Sequence, residues 1–426
     1  MLSKLIKFIT YLLKKDSSAI NLIFNLTPTF IKRRLGVYPI TVGNEVLQIQ
    51  KVLRTPFWLQ SNTQDNPHKK LEEFFAKKTN SKFAIAVNSG GTAIQMSLRC
   101  LGLGRADEVI HQVDTCVATP FSVLNAQVSP VFHDTNNQNF LLDLNTLGQS
   151  INSNTKAIIA THMWGDPEDL SKLRLIASTN RIFLIEDACL AFGTEIDNTQ
   201  IGGGSTLGIF SFGSTKSVQA GGGGIIVTDD ESLALELSSM RNWGDRTLEF
   251  GKRDAKYLSW NGKISEITAA LALEQVKNFH KIQNQVVDNV YKFEDYLKKF
   301  EKIKTLSFPH IKNLKRSYNQ LRLNVEFTSS NQKDSFVSKL RISGVEVYDG
   351  NFEPLPVLSF FKEKEWKKWI DQDKSDRLEK NYYGMFLNAN NFYKVSGIGI
   401  HRNNFLSNQR LKTLMKTFTE AYLEIL

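Results

Sequence analysis

The chain has 426 residues, 41% hydrophobic and 23% charged, values that exclude global disorder and predict two domains, or one large domain and a smaller one. Its formal net charge of +10 favours anionic partners such as phosphates, nucleotides or an anionic membrane surface. The excess is spread along the chain with no zinc-finger spacing or RNP-like motif, so nucleic acid is not an expected partner.

The first residues, MLSKLIKFITYLLKK, place Leu2, Leu5, Ile6, Ile9, Leu12 and Leu13 at helical spacing with lysines between them. The uncharged run Phe8 to Leu13 is far short of the ~20 residues of a spanning helix, and no small-residue cleavage site follows, so a signal peptide is not expected. The pattern predicts an amphipathic extension over residues 1–40, packed on the body or on a partner. Its alternative is a helix lying in a membrane interface. From Lys82 to Asp229 short β-rich runs alternate with helical stretches: FAIAV (83–87), EVIHQV (108–113), PVF (130–132), AIIATH (157–162), RIFLIED (181–187), GIFSF (208–212) and GIIVT (224–228). Several are apolar without alternation, as strands covered on both faces are. This predicts an α/β domain with a mostly parallel sheet, and ligands beyond the carboxyl ends of its strands. Residues 264–300 read as one long helix or two. Strands near 321–327 and 345–348, with helices near 331–341 and 407–425, predict a smaller C-terminal α+β domain. Cys100, Cys116 and Cys189 form no CxxC pair, which predicts a reduced cytoplasmic protein and argues against a structural zinc or a disulfide scaffold.

Three strand ends carry candidate chemistry. After FAIAV, the run Asn88-Ser89-Gly90-Gly91-Thr92 opens a helix, whose amides make a phosphate cradle; a plain turn is the bland reading. RIFLIED ends on Asp187, either a helix cap or an acid that pairs with a pyridinium nitrogen. GIFSFGST delivers Lys216 before the glycine run Gly221 to Gly224. That lysine is either a solvated loop residue or a Schiff-base amine. No one of the three decides; their order does.

The segments SGGTAIQMSLRCLGLGRADEVI, VATPFSVLNAQVSPVFHD, NTKAIIATHMWGDPEDL, IEDACLAFGT, FSFGSTK with GGGGIIVTDD, RNWG and WNGKISEITAALALEQV resemble, in order, the DegT/DnrJ/EryC1/StrS sugar aminotransferases. The resemblance covers about residues 45 to 290, is thin over the C-terminal part and is absent over the first forty residues. It implies a fold-type-I transferase that uses pyridoxal 5'-phosphate (PLP). Its large domain, residues 41–290, would hold a mostly parallel seven-stranded sheet flanked by helices, and residues 291–426 the small domain. By the same resemblance Lys216 binds PLP covalently and moves the proton, and Asp187 faces the pyridine nitrogen. Gly91 and Thr92 bind the phosphate through their amides, Ser211 contacts it, and Asn261 reaches the phosphate of a neighbouring subunit, which makes a homodimer obligatory. The family's ring-stacking aromatic is here Cys116, a Gln or His three residues after the acid is Leu190, and an arginine is Lys263. His162, at a strand end near the expected site, is read as structural or as supporting the residues that contact the cofactor, and Trp243 as packing rather than catalysis.

The resemblance implies amino transfer from an amino acid, glutamate or glutamine, to a keto group on a nucleotide-linked hexose. Related sugar dehydratases carry His in place of the lysine, and Lys216 argues against that branch. A non-catalytic binding or scaffold protein is the reading from another class. Cys116 and Leu190 speak for it, and the retained pair Asp187 and Lys216 against it.

Overall fold

In a computed structural model, residues 43–55, 66–246, 254–308, 311–369 and 385–426 are described. The amphipathic extension expected over residues 1–40 lies outside them, and Val42–Leu426 make up one compact unit.

Seven strands form the main sheet: β1 Phe83–Val87, β2 Glu108–Gln112, β3 Ser129–His133, β4 Thr155–Thr161, β5 Phe183–Asp187, β8 Leu207–Ser211 and β9 Gly224–Thr228. Two short strands, β6 Glu195–Ile196 and β7 Thr199–Gln200, intervene. The spatial order is β1-β9-β8-β5-β4-β2-β3. Strands β3, β2, β4, β5 and β8 pair in parallel, whereas β9 runs antiparallel to both β8 and β1. All seven runs read from the sequence are present in this sheet. Every residue of β2, β3 and β9 is buried, which explains their unalternated apolar character.

Four helices on the main sheet start where the sequence supplies a side-chain oxygen for the open amides of the first turn. Ser89 caps α1 Gly90–Cys100, Asp169 caps α2 Leu170–Asn180, Asp230 caps α3 Glu231–Met240 and Ser265 caps α4 Glu266–Lys277. The helical stretch after 264 is two helices, because the chain breaks at Asn278 before α5 His280–Leu297.

The second sheet is antiparallel, in the order β10-β12-β14-β13, from β10 Ile303–Thr305, β12 Gln320–Val325, β13 Val347–Asp349 and β14 Gly397–His401. Its apolar face packs against α5 through Val286, Val290, Phe293 and Leu297, and against helices 330–342 and 408–425 through Phe336 and Phe418. Residue 290, the expected end of the large domain, thus falls inside a helix whose buried face belongs to this second cluster. Strand β11 Leu314–Lys315 pairs with β6, tying the two regions together at the edge.

A buried polar network joins the carboxyl ends of the main sheet to the second one. The fully buried Asp166 carboxylate accepts from Nε of Arg316 and from Nε of Arg322, each at 2.8 Å. Arg322 also donates to Asn351 Oδ1 at 2.8 Å and to the carbonyls of Asn139 and Phe140. Asn351 in turn donates to Asp114 at 2.8 Å. Burial pushes the Asp114 carboxyl up to about 6, against the pull of Asn351, Gln112 and Arg322. Burial pushes Glu168 up to about 8, against its bond from the Leu142 amide and the Arg322 charge. Both acids therefore hold a proton more tightly folded than unfolded. Their contribution to stability is complete below about pH 4, the unfolded range, and is lost as pH rises through 6 for Asp114 and 8 for Glu168. A Glu168→Gln protein keeps the oxygen that accepts from Leu142. It should match wild type near pH 4 and exceed it by at least about 1 kcal/mol at pH 8.5 in urea melts. Equal pH profiles for the two proteins would contradict this.

Candidate active site

The expected site residues come from separate elements, and the sheet order brings them to one edge. β8 lies beside β5, and β9 beside β1, so Asp187 at the end of β5, Ser211 at the end of β8 and the start of α1 after β1 all stand at the same end of the strands.

The junction with α1 is tight. A Cβ on Gly90 would lie 2.8 Å from Cys189 Sγ and 3.0 Å from Ser211 Cβ, so only glycine lets the helix start approach the ends of β5 and β8 this closely. Ser89 Oγ accepts from the Thr92 amide at 3.0 Å, and the Gly91 carbonyl accepts from Ser122 Oγ at 3.0 Å. Asn88 organises the neighbourhood. Its amide N–H donates to Gly262 O and its carbonyl accepts from Gly223 N–H, each at 2.8 Å. Its side chain donates to the Asn261 carbonyl at 3.0 Å. Asn261 therefore sits beside the cradle of its own chain with its side chain exposed. The neighbouring Lys263 donates to Asn242 at 2.6 Å, and burial, then Arg241, pull its ammonium below the ordinary lysine range.

Asp187 is buried, and its Oδ1 accepts from the Cys189 amide at 3.1 Å. Burial and the Asp187 carboxylate push the Cys189 thiol well up, while the Lys216 ammonium pulls the other way and Cys116 adds to the rise. One sulfur thus senses Asp187, Lys216 and Cys116 together while touching the edge of the Gly90 turn. Lys216 is half-buried in the turn after β8, its amide donating to the Gly213 carbonyl at 3.1 Å. Cys116 is also half-buried, in the segment leading from β2.

Three residues differ from what the sequence implies or sharpen it. Leu190 is buried in a small apolar cluster with Leu141 and Met163. Trp243, expected to pack, is 59% exposed with a left-handed φ of 61°. His162 is structural. Its Nδ1 accepts from the Glu168 amide at 3.1 Å, so Nε2 carries the proton and donates to Glu186 at 3.2 Å. Glu186 further accepts from Gly202 N–H, Arg174 and Ser205, on the face of β5 opposite Asp187. Cys189, at the centre of the constellation, carried no spacing signal in the sequence. Ser89 did carry one, as a small polar residue directly before the helix.

These groups fit a phosphorylated pyridine aldehyde. The start of α1 offers amides and a positive helix end to an anion, the bare Gly90 lets that end pack against Cys189 and Ser211, Asp187 suits a protonated ring nitrogen, and Lys216 supplies the amine. Gly90→Ala should push the start of α1 away from Cys189 and Ser211 and weaken PLP binding by about tenfold, in line with overpacking costs of about 1–3 kcal/mol. An absorbance titration of PLP would read this, and unchanged affinity would count against the placement. Among the described residues no cluster of His, Cys, Asp and Glu could hold a metal, and no helix is long and apolar enough to cross a membrane.

Comparison with known proteins gives the family and the fold. The profile of the DegT/DnrJ/EryC1/StrS aminotransferase family matches residues 41–382. GDP-perosamine synthase of Escherichia coli O157:H7 is 28% identical over 257 residues, 60% of this chain and 69% of that protein. The dTDP-3-amino-3,4,6-trideoxy-alpha-D-glucose transaminase of Streptomyces venezuelae is 33% identical over 202 residues, 47% of this chain and 52% of that protein. Among solved structures, the PLP form of Spr1654 from Streptococcus pneumoniae superposes with a TM-score of 0.78 at 21% identity, over 91% of this chain and 100% of that one. It shares the fold.

Proposed function

The chain belongs to the DegT/DnrJ/EryC1/StrS aminotransferase family, a family of PLP-dependent enzymes, and from that premise we propose that it aminates a keto group on a nucleotide-linked deoxysugar. The carrying observation is the meeting of the Gly90 turn, Asp187, Cys189 and Ser211 at one sheet edge, within the field of Lys216. Named relatives make or use GDP- and dTDP-linked amino sugars, and a chain of net charge +10 suits a diphosphate.

In this reading Lys216 holds the cofactor and shuttles the proton at the carbon that gains or loses nitrogen. Asp187 keeps the ring nitrogen protonated, so that the bound cofactor supplies an electron sink. Gly91, Thr92 and Ser211 hold the phosphate, and Cys116 covers part of the ring with a polarizable sulfur. The donor is an amino acid, glutamate first. The product serves cell-surface polysaccharide or natural-product sugar synthesis in the cytoplasm. The enzyme works as a homodimer, supported by the exposed Asn261 beside the cradle and by Trp243 and Leu258 exposed nearby. The large domain gives way to the small one near the break before α5.

The test has two stages. PLP-loaded protein mixed with glutamate should change spectrum to the amine form, and GDP- or dTDP-linked keto-deoxyhexoses should restore the first spectrum with an aminated product seen by mass spectrometry. Loading without conversion by any amino acid would favour the scaffold reading. Conversion by glutamate without turnover of either sugar nucleotide would overturn the substrate class.

A further inference from the structure

The loop that carries Lys216 is held from outside the main sheet. Asn319, at the entry to β12, is 1% exposed, and its Nδ2 donates to Ser217 Oγ at 3.3 Å. Ser217 directly follows Lys216. The contact survives either orientation of the amide, because a hydroxyl both donates and accepts. The Asn319 Oδ1 atom is buried and meets no partner. An unmatched buried amide atom is unfavourable, so this side chain does not owe its place to general polar matching; what it satisfies is the lysine loop.

The backbone of Asn319 is held at both its N–H and its carbonyl. Its N–H donates to the Trp164 carbonyl at 2.9 Å, and its carbonyl accepts from the Arg402 amide at 3.2 Å. Trp164, Gly165 and Tyr318 all take left-handed φ, at 58°, 98° and 49°. A Cβ on Gly165 would lie 2.7 Å from Ser317 Oγ, so the turn after β4 and the entry to β12 are pressed together. Thr194 stitches them, donating to Gly165 O at 2.7 Å and accepting from Ser317 N–H at 3.0 Å. Non-glycine residues hold such conformations only where the surroundings enforce them, and such enforcement is concentrated at functional sites.

We propose that Asn319 is a positioning residue that, through Ser217, fixes the Lys216 backbone relative to the cofactor, so that the second sheet sets the lysine's geometry. The proposal rests on Lys216 as the cofactor lysine but not on the sugar substrate. Borohydride trapping of PLP on the peptide carrying Lys216 tests that premise separately.

The experiment is a double-mutant cycle on the full-length protein with PLP as the probe. PLP affinity and the pH midpoint of the cofactor's visible band are measured for wild type, Asn319→Ala, Ser217→Ala and the double variant. Each single change is expected to weaken PLP binding about three- to tenfold, as loss of one hydrogen bond does, and to move the pH midpoint. The double variant should match the singles, because both break the same contact. Effects that multiply, or a Ser217→Ala protein with wild-type affinity and midpoint, would overturn the proposal. Should Asn319→Ala fail to fold, Ser217→Ala decides alone, since Ser217 is half-buried in a loop and its hydroxyl is dispensable for packing.

Discussion

Lys216→Ala should yield a folded protein that has lost at least about 10³-fold in amino transfer and all covalent attachment of PLP. The lysine contributes little to the fold. It is half-buried in a turn, where its backbone amide donates to Gly213 O. Truncation therefore leaves the β8–β9 pairing and the Gly90 turn in place. The cradle, Asp187 and Ser211 remain, so PLP should still bind, more weakly and without covalent linkage. What disappears is the group that both tethers the cofactor and relays the proton. Borohydride treatment followed by peptide mass spectrometry reads the first loss, and the rate of glutamate-driven spectral change reads the second. A trapped adduct on another lysine, or activity within tenfold of wild type, would remove Lys216 from its assigned role.

Asp166→Ala should destabilise the protein by about 3–5 kcal/mol, the range for breaking a buried ion pair from one side. Asp166 is fully buried, as is Arg322, and Arg316 is nearly so. Both guanidiniums point their Nε–H at this carboxylate, so its removal leaves two buried cations without their shared counter-charge. Arg322→Met is expected to cost less, because Asp166 keeps Arg316 and the methionine stem replaces part of the packing. Against a usual total of about 5–15 kcal/mol, the first change takes a large share. Urea unfolding followed by circular dichroism measures it. A loss under about 1 kcal/mol would mean that water or relaxation compensates the charges. Because the network joins the ends of β2 and β4 to β12, Asp166→Ala should also loosen the Asn319 contact and weaken PLP binding indirectly.

The main sheet was readable because strands covered on both faces become uninterrupted apolar runs, as in β2, β3 and β9. Glycine and serine punctuation marked the start of α1, strand ends pointed to Asp187 and Lys216, and the family resemblance pointed to Ser211. Two kinds of feature were not readable. The first is pairing across long separations: Asp166 with Arg322, or Ser217 with Asn319, leaves no local pattern in the chain. The second is enforced backbone. Nothing about Trp164 or Tyr318 as residue types announces a left-handed conformation, which tertiary contacts impose. Leu190 and Trp243 show the same limit, since the direction of a side chain at a loop is decided by what arrives from elsewhere.

The reversal of β9 bears on how the site comes into being. Parallel neighbours need long crossovers before they can meet, whereas β8 and β9 pair Ser211 with Gly224 across one short connection. Closing a short loop is entropically cheap and contacts of low sequence separation form early. The lysine's segment is thus the span of a hairpin, tethered at both ends before the distant chain folds over it. Hydrogen exchange on cofactor-free protein should accordingly find β8 and β9 protected, so that PLP meets a lysine already presented rather than one it must recruit.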